Sequence, residues 1–215
     1  TVTGVQTCAL PIWDLSSGAT LQPITAPKEV WPQFGGLQIT TSSTQLSALT
    51  DAVLYLTHYP YDCNEQIASR LLSIAALRDV LSAFSAEGLP DAKTLEASVD
   101  QDLARLAQRQ NYDGGFAFWR KGDESWPYLT IHVGEALGVA KAKGYTVPPA
   151  LWNGTLDYLR TIQSHIPSWY SKEERLWLRA AAVGARHRMG DDGAAEALAV
   201  WKADRKSTRL NSSHS

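Results

Sequence analysis

Apolar residues recur every three or four positions along most of the chain, which predicts a series of amphipathic helices. Proline and glycine separate these segments, as they do between helices in general. On the third helix, Leu95, Val99, Leu103 and Leu106 share one face and the charged residues occupy the other. The predicted helices run from Ser43 or Thr44 to about 57, then over about 64–86, 91–108, 127–143, 149–164 and 172–189, with the last from Ala194 past 205.

Short links between helices of this length indicate antiparallel neighbours. The pattern therefore predicts an all-α fold, built as a partial α/α-toroid of helical hairpins. We expect an open ring with uncovered apolar faces, and hence poor solubility of the isolated chain. One segment differs: residues 34–42 alternate apolar and polar positions, with Leu37 and Ile39 on one side. That alternation predicts a single N-terminal strand.

Composition and charge narrow the possible partners. The chain has 215 residues, is 44% hydrophobic and carries a net charge of −2. This is ordinary for a soluble globular chain, and a charge so near zero favours neither nucleic acid nor an anionic membrane surface. No apolar run reaches the length of a membrane span, so we expect no membrane contact by this segment.

The candidate chemistry lies at the start of the second helix. Cys63 and Gln66 are three residues apart, and a helix that begins near Asn64 places their side chains on one turn. A thiol held against a glutamine carboxamide can displace ammonia and form an internal thioester, which is a stored acyl donor. Glu65 is the adjacent residue of this motif.

A thioester must be kept from water, which would otherwise hydrolyse it. Tyr59, Pro60 and Tyr61 directly precede the pair, and we expect them to form an apolar wall in front of it. His58 lies next to this wall and is interpreted as a solvated helix end, although a base near the thioester is the alternative.

These residues carry a resemblance to a known family. Residues 59–66, the upstream block 34–37 and the downstream block 113–119 resemble the thioester region of bacterial alpha-2-macroglobulin-like proteins. Asp62 departs from the pattern, because many members have a small residue there, often glycine. The resemblance implies a helical toroid next to macroglobulin and β-domains that lie outside this chain. It also implies a stoichiometric covalent trap for target proteases, with no cofactor, in a periplasmic or other extracytoplasmic compartment.

The same resemblance bears on the acceptor of the acyl group. Some members place a histidine in the loop that follows the aspartate-glycine block, and this histidine redirects the acyl group to hydroxyls. The corresponding loop, residues 120–126, contains no histidine. The resemblance therefore implies transfer to amines such as lysine side chains.

The two ends of the chain look foreign to the fold. Residues 1–12 and 206–215 resemble translated sequencing-adapter sequence, and neither has a period that would join it to a core. We therefore assign residues 13–43 to a loop and strand from a preceding β-domain, and residues 44–205 to a truncated thioester domain. Cys8 then falls in the foreign segment, so we expect no disulfide between Cys8 and Cys63.

Two other functions remain open from the sequence alone. One is an α/α-toroid enzyme of the terpenoid cyclase or polysaccharide lyase kind, and the other is a helical scaffold without a thioester. His132 and Glu135 are three residues apart on one helix, but a metal site needs at least a third protein ligand. We interpret them as a polar pair on the helix face and expect no metal.

Overall fold

The computed structural model describes Gly18, Leu21, residues 55–56, 61–81 and 90–212, with backbone only for 79–81 and 205–212. The chain divides into two compact units, Thr1–Thr41 and Ser42–Ser215, and nearly all described residues belong to the second. The predicted strand over residues 34–42 lies outside the described residues. The first predicted helix does too, apart from Tyr55 and Leu56, which are helical.

The described residues are helical, as the apolar period predicts, and their only β-pairing is an isolated bridge between Lys121 and Asp123. Local signals fix several helix starts. Asp91 accepts a hydrogen bond from the Thr94 N–H, and Ser171 and Glu174 form a capping box. The helices are α1 (Asn64–Leu81), α2 (Ala92–Arg109), α3 (Pro127–Ala142), α4 (Pro149–Arg160), α5 (Ile162–His165), α6 (Lys172–Arg188) and α7 (Ala194–Ser212).

Two helix boundaries differ from the prediction. The helix expected to run to Ser164 is broken at Thr161, which separates α4 from the short α5. The Thr161 hydroxyl donates to the Asp157 carbonyl at 3.0 Å and so competes with the regular helix pattern. The backbone of α7 continues through residue 206 to Ser212, although the sequence has no helical period there.

The helices pack in two layers. Helix α3 lies in the middle of the first layer, between α1 and α6. The second layer follows the chain, since α2 packs on α1, α4 packs on α3, and α7 packs on α6. This alternation of inner and outer helices confirms the predicted partial toroid of hairpins.

The core consists of the apolar faces that the sequence indicates. Leu95, Val99, Leu103 and Leu106 of α2 are all buried. One charged residue of the same helix is an exception to the predicted polar face: Asp102 is only 1% exposed. The prediction that the charges of this helix face solvent is wrong here, because Asp102 is paired with the buried Arg70 of α1.

A tight turn after α2 leads the chain back to the start of α1. Gly114 has a φ of +84°, which favours glycine, and its Cα lies against the backbone of Gly154. The Asp113 carboxylate accepts a hydrogen bond from the Gly115 N–H at 2.9 Å. This turn delivers residues 116–118 to the N-terminal end of α1, where Cys63 lies.

Candidate functional site

Cys63 occupies the position just before α1, and its carbonyl accepts the first helical hydrogen bond, from the Ile67 N–H at 3.0 Å. Its side chain is buried, with 4% exposed. The Cys63 thiol donates a hydrogen bond to Oε1 of Gln66, one helical turn further on. The sulfur and the carboxamide are therefore in direct contact, with the sulfur buried and the Gln66 side chain partly exposed.

The residue after Cys63 is anchored to the turn that follows α2. The Asn64 N–H donates to the Phe118 carbonyl at 2.8 Å, and its side-chain amide donates to the Ala117 carbonyl at 2.7 Å. Asn64 is fully buried, so these bonds also satisfy polar groups that would be costly to leave unpaired. They fix the first turn of α1 against residues 117–118.

The residue before Cys63 is held by arginines from two helices. One carboxylate oxygen of Asp62 accepts from Arg70 of α1 at 3.1 Å, and the other accepts from Arg105 of α2 at 2.5 Å. Arg109 of α2 donates to the Asp62 carbonyl at 2.5 Å. Asp62 places a negative charge in this turn, and the guanidinium groups of Arg70 and Arg105 neutralise that charge.

Arg70 is itself positioned by the core of the protein. Its guanidinium makes a bidentate contact with Asp102, at 2.8 Å from Nε and 2.6 Å from Nη2. The hydrogen bond to Asp102 raises the pKa of Arg70 above its usual range, so this cation stays charged. Arg70 thus joins the Cys63 turn to a buried ion pair between α1 and α2.

The Glu65 side chain leads to a histidine that the sequence did not connect with the site. Ser69 donates to the Glu65 carboxylate at 2.8 Å, and Ser69 Oγ lies 2.9 Å from Nε2 of His132 on α3. Because the single hydroxyl proton of Ser69 goes to Glu65, the Nε2 atom of His132 must carry a proton and donate to Ser69. This nitrogen is therefore occupied as a hydrogen-bond donor.

His132 and Glu135, interpreted above as a polar pair on the helix face, each contact a polar group of another helix. His132 bonds to Ser69, whereas the Glu135 carboxylate lies 3.9 Å from the Arg188 guanidinium. Across the described residues, no cluster of three or more histidine, cysteine or acidic side chains could hold a metal ion.

Of the three residues expected to form the apolar wall, the structure describes Tyr61. Tyr61 is 61% exposed, so most of its ring faces solvent. Tyr59, Pro60, His58 and Cys8 lie outside the described residues. Phe118, whose carbonyl binds the Asn64 N–H, makes an edge-to-face contact with Trp126, with ring centroids 5.7 Å apart.

Sequence reasoning missed most of the residues that surround the reactive pair. Arg105 and Arg109 are four apart on α2 and follow Asp102 at spacings of three and seven, which places all three on one face. A charged stripe beside an apolar face could have identified the two arginines as partners for a buried or half-buried acid. No comparable local signal links His132 to Ser69, which is 63 residues earlier.

The chain is similar to known proteins over most of its length. The chain matches no protein-family model. It is similar to the alpha-2-macroglobulin of Rickettsia conorii, with 29% identity over 140 residues, and to that of Escherichia coli K12, with 43% identity over 108 residues. These matches cover 63% and 49% of this chain, but only 7% and 6% of the two relatives.

Two solved structures of Escherichia coli alpha-2-macroglobulin share the fold. The native form, spanning domain MG7 to the C-terminus, matches with a TM-score of 0.58 and 25% identity over 72% of this chain and 25% of that chain. The trypsin-activated form matches with a TM-score of 0.56 and 27% identity over 67% of this chain and 10% of that chain.

Proposed function

We propose that this chain, which is homologous to one segment of the bacterial alpha-2-macroglobulins, carries the internal thioester of a protein that captures proteases covalently. The observation that supports this most directly is the contact between the buried Cys63 thiol and the partly exposed Gln66 carboxamide. The whole protein is a protease inhibitor in this proposal, and the chain supplies its reactive group.

Thioester formation needs only the two side chains. The Cys63 sulfur attacks the carboxamide carbon of Gln66, the carbon–nitrogen bond breaks, and the thiol proton leaves with the nitrogen as ammonia. Fixed proximity favours this step, because holding two reactants in line replaces a bimolecular encounter by an intramolecular one. Burial of Cys63 then protects the product from water.

Capture uses the stored acyl group once. After a protease cuts the full-length protein elsewhere, a lysine amine of the protease attacks the thioester carbonyl. A new amide bond forms to the side chain of residue 66, and Cys63 is released as a free thiol. A relative has been solved in a trypsin-activated form, which supports a protease as the trigger. This is stoichiometric acylation, with no turnover.

The setting of this reaction is also part of the proposal. Macroglobulin and β-domains of the full-length protein would adjoin the chain, and the compartment would be periplasmic or otherwise extracytoplasmic. Within residues 61–81 and 90–212, none of the helices has the length and apolar character needed to span a membrane. The domain limits given above, residues 44–205 for the thioester domain with foreign ends at 1–12 and 206–215, belong to the same proposal.

The acceptor class is proposed from the 120–126 loop and from His132, the histidine that contacts the motif among the described residues. The loop over residues 120–126 contains no histidine, and Nε2 of His132 is engaged by Ser69. We therefore assign amines, and lysine side chains in particular, as the favoured acceptors. In competition between methylamine and glycerol, methylamine should account for nearly all adducts, and His132→Gln should leave that ratio unchanged.

Mass spectrometry of the folded chain tests the thioester. The untreated protein should be lighter than its sequence by one ammonia, about 17 Da, and methylamine should then add about 31 Da and release one thiol. Cys63→Ser and Gln66→Ala should show neither change, whereas Glu96→Gln, far from the site on α2, should behave like the wild type. A wild-type chain with full sequence mass and no response to methylamine would contradict the proposal.

A further inference from the structure

We propose that Asp62, held by Arg105 and Arg109, is a positioning residue that fixes the Cys63 sulfur against the Gln66 carboxamide. The inference rests on the thioester proposed above and adds residues that the reactive pair itself does not include. The Asp62 clamp is defined here as Asp62 with its three arginine partners, Arg70, Arg105 and Arg109. None of these side chains reacts, and each acts through the backbone of the turn.

The clamp acts on the residue directly before the nucleophile. Both carboxylate oxygens of Asp62 are used, one by Arg70 from α1 and one by Arg105 from α2. Arg109 takes the Asp62 carbonyl as well, at 2.5 Å, and lies 3.4 Å from Oδ1 of Asn64. Asp62 is thus bonded to α2 through both its side chain and its backbone carbonyl. These bonds hold the peptide unit that joins Asp62 to Cys63.

Asn64 provides the matching restraint on the other side of Cys63. Its backbone N–H and side-chain amide are bound to the carbonyls of Phe118 and Ala117. Cys63 therefore sits between two anchored neighbours, and the position of its sulfur is set by three elements: α1, α2 and the segment after α2. This arrangement restricts the approach of sulfur to carboxamide to a narrow range of geometries.

Positioning of this kind has a large effect on rate and a small effect on stability. A misplacement of about 1 Å can slow an intramolecular reaction by about a hundredfold. The Asp62–Arg105 pair is by contrast partly exposed, at 35% and 33%, and partly exposed pairs of this kind add little to folding stability. Arg70 keeps its partner Asp102 when Asp62 is changed. The two roles can therefore be separated by experiment.

The clamp also explains why an acidic residue suits this position. The carboxylate accepts from two guanidinium groups, with one oxygen for each of two helices, which a glycine could not provide. Arg70 does not need Asp62 for its own neutralisation, because it is already paired with Asp102. The contact to Asp62 therefore serves the turn and not the buried pair.

Timed mass spectrometry after cell-free synthesis tests the clamp, since every new chain starts with a free thiol. Asp62→Asn keeps the size of the side chain and removes its charge, and it should slow the loss of ammonia by about tenfold to a hundredfold. Arg105→Gln should give a similar delay, and the double variant should be no slower than either single variant. Glu96→Gln breaks an exposed ion pair between the same two helices, 3.2 Å long, and should form the thioester at the wild-type rate.

A second measurement does not need the thioester. In a Gln66→Ala background the Cys63 thiol persists, and its alkylation by iodoacetamide should be at least about fivefold faster with Asp62→Asn than without it, because a loosened turn exposes the sulfur. Thermal unfolding of each variant should shift no more than that of Glu96→Gln.

The outcomes separate the two proposals. If the wild type never loses ammonia, the proposed function fails, and the alkylation rates still decide whether Asp62 holds Cys63. If the wild type forms the thioester and Asp62→Asn forms it equally fast, the clamp is overturned while the proposed function stands. Equal alkylation rates with and without Asp62→Asn would also overturn the clamp.

Discussion

At the scale of single residues, Gly114 shows how one backbone conformation supports the site. Its φ of +84° is strained for any residue with a Cβ, and an added Cβ would overlap the Gly154 carbonyl oxygen. The obstacle is backbone, which cannot move aside like the end of a flexible side chain. The turn that brings residues 117 and 118 to Asn64 therefore depends on glycine here.

We expect Gly114→Ala to lower the free energy of unfolding by at least about 3 kcal/mol, from strain at positive φ together with overpacking. Gly122 is a matched control, because its φ is +99° but a Cβ added there would meet no atom within 4 Å. Gly122→Ala should cost only about 1–2 kcal/mol. Urea denaturation of both variants measures the difference, and equal losses would mean that the Gly154 contact does not matter.

Residues close in the chain could be predicted, and residues brought together by the fold could not. The contact between Cys63 and Gln66 follows from their spacing on one helical turn, and the structure has it. The contacts of Asp62 with Arg105 and of Ser69 with His132 join residues 43 and 63 positions apart. Such pairs depend on how α1, α2 and α3 pack, which the apolar period leaves open.

At the scale of elements, helix starts were predictable because their signals are local. Asp91 and Ser171 cap α2 and α6 at the expected places, and Pro127 and Pro149 begin α3 and α4. The break at Thr161 was missed, because a threonine inside an apolar period does not reveal whether its hydroxyl bonds back to the preceding turn.

Helices α1 and α2 are joined by a buried ion pair, Arg70 with Asp102, that the apolar pattern could not predict. Arg70 and Asp102 are 7% and 1% exposed at the side chain and form two hydrogen bonds. Loss of Asp102 leaves the buried Arg70 with only the partly exposed Asp62 as a counter-charge, whereas replacement of both partners by apolar residues leaves no buried charge between the two helices.

We therefore expect Asp102→Leu to destabilise the fold by about 3 to 5 kcal/mol. Arg70→Met combined with Asp102→Leu should recover most of that loss, since neither helix then carries an unpaired buried charge. Chemical denaturation of the two variants gives the comparison. A double variant as unstable as Asp102→Leu alone would show that the packing around the pair, and not its charge, holds the helices together.

At the scale of the whole molecule, the two-layer arrangement leaves large aromatic side chains at the surface. Tyr128 of α3 stacks on Trp177 of α6 with ring centroids 6.0 Å apart, and the two side chains are 52% and 56% exposed. This surface agrees with the expectation that an open ring leaves apolar area uncovered. The Tyr128–Trp177 contact links the first-layer helices α3 and α6 at a surface that is exposed on both helices.

Stability of the molecule as a whole should also depend on pH through the partly buried imidazole of His165. His165 stacks on Tyr158, with ring centroids 3.9 Å apart, and burial lowers the pKa of His165 below its usual value near 6.5. The folded state therefore disfavours the protonated form. Below about pH 6.5 the unfolded chain binds a proton more readily than the folded one, so protonation favours unfolding.

We expect the midpoint temperature of unfolding to fall as the pH is lowered from about 7.5 through 6.5 toward 5.5. Protonation of His165 should account for part of this fall. His165→Phe keeps an aromatic ring against Tyr158 and removes the titrating group, so its midpoint should change less over the same interval. His187 is an exposed histidine on α6, and His187→Gln should keep the full pH dependence of the wild type. If His165→Phe and the wild type lose stability in parallel on acidification, a different group controls the effect.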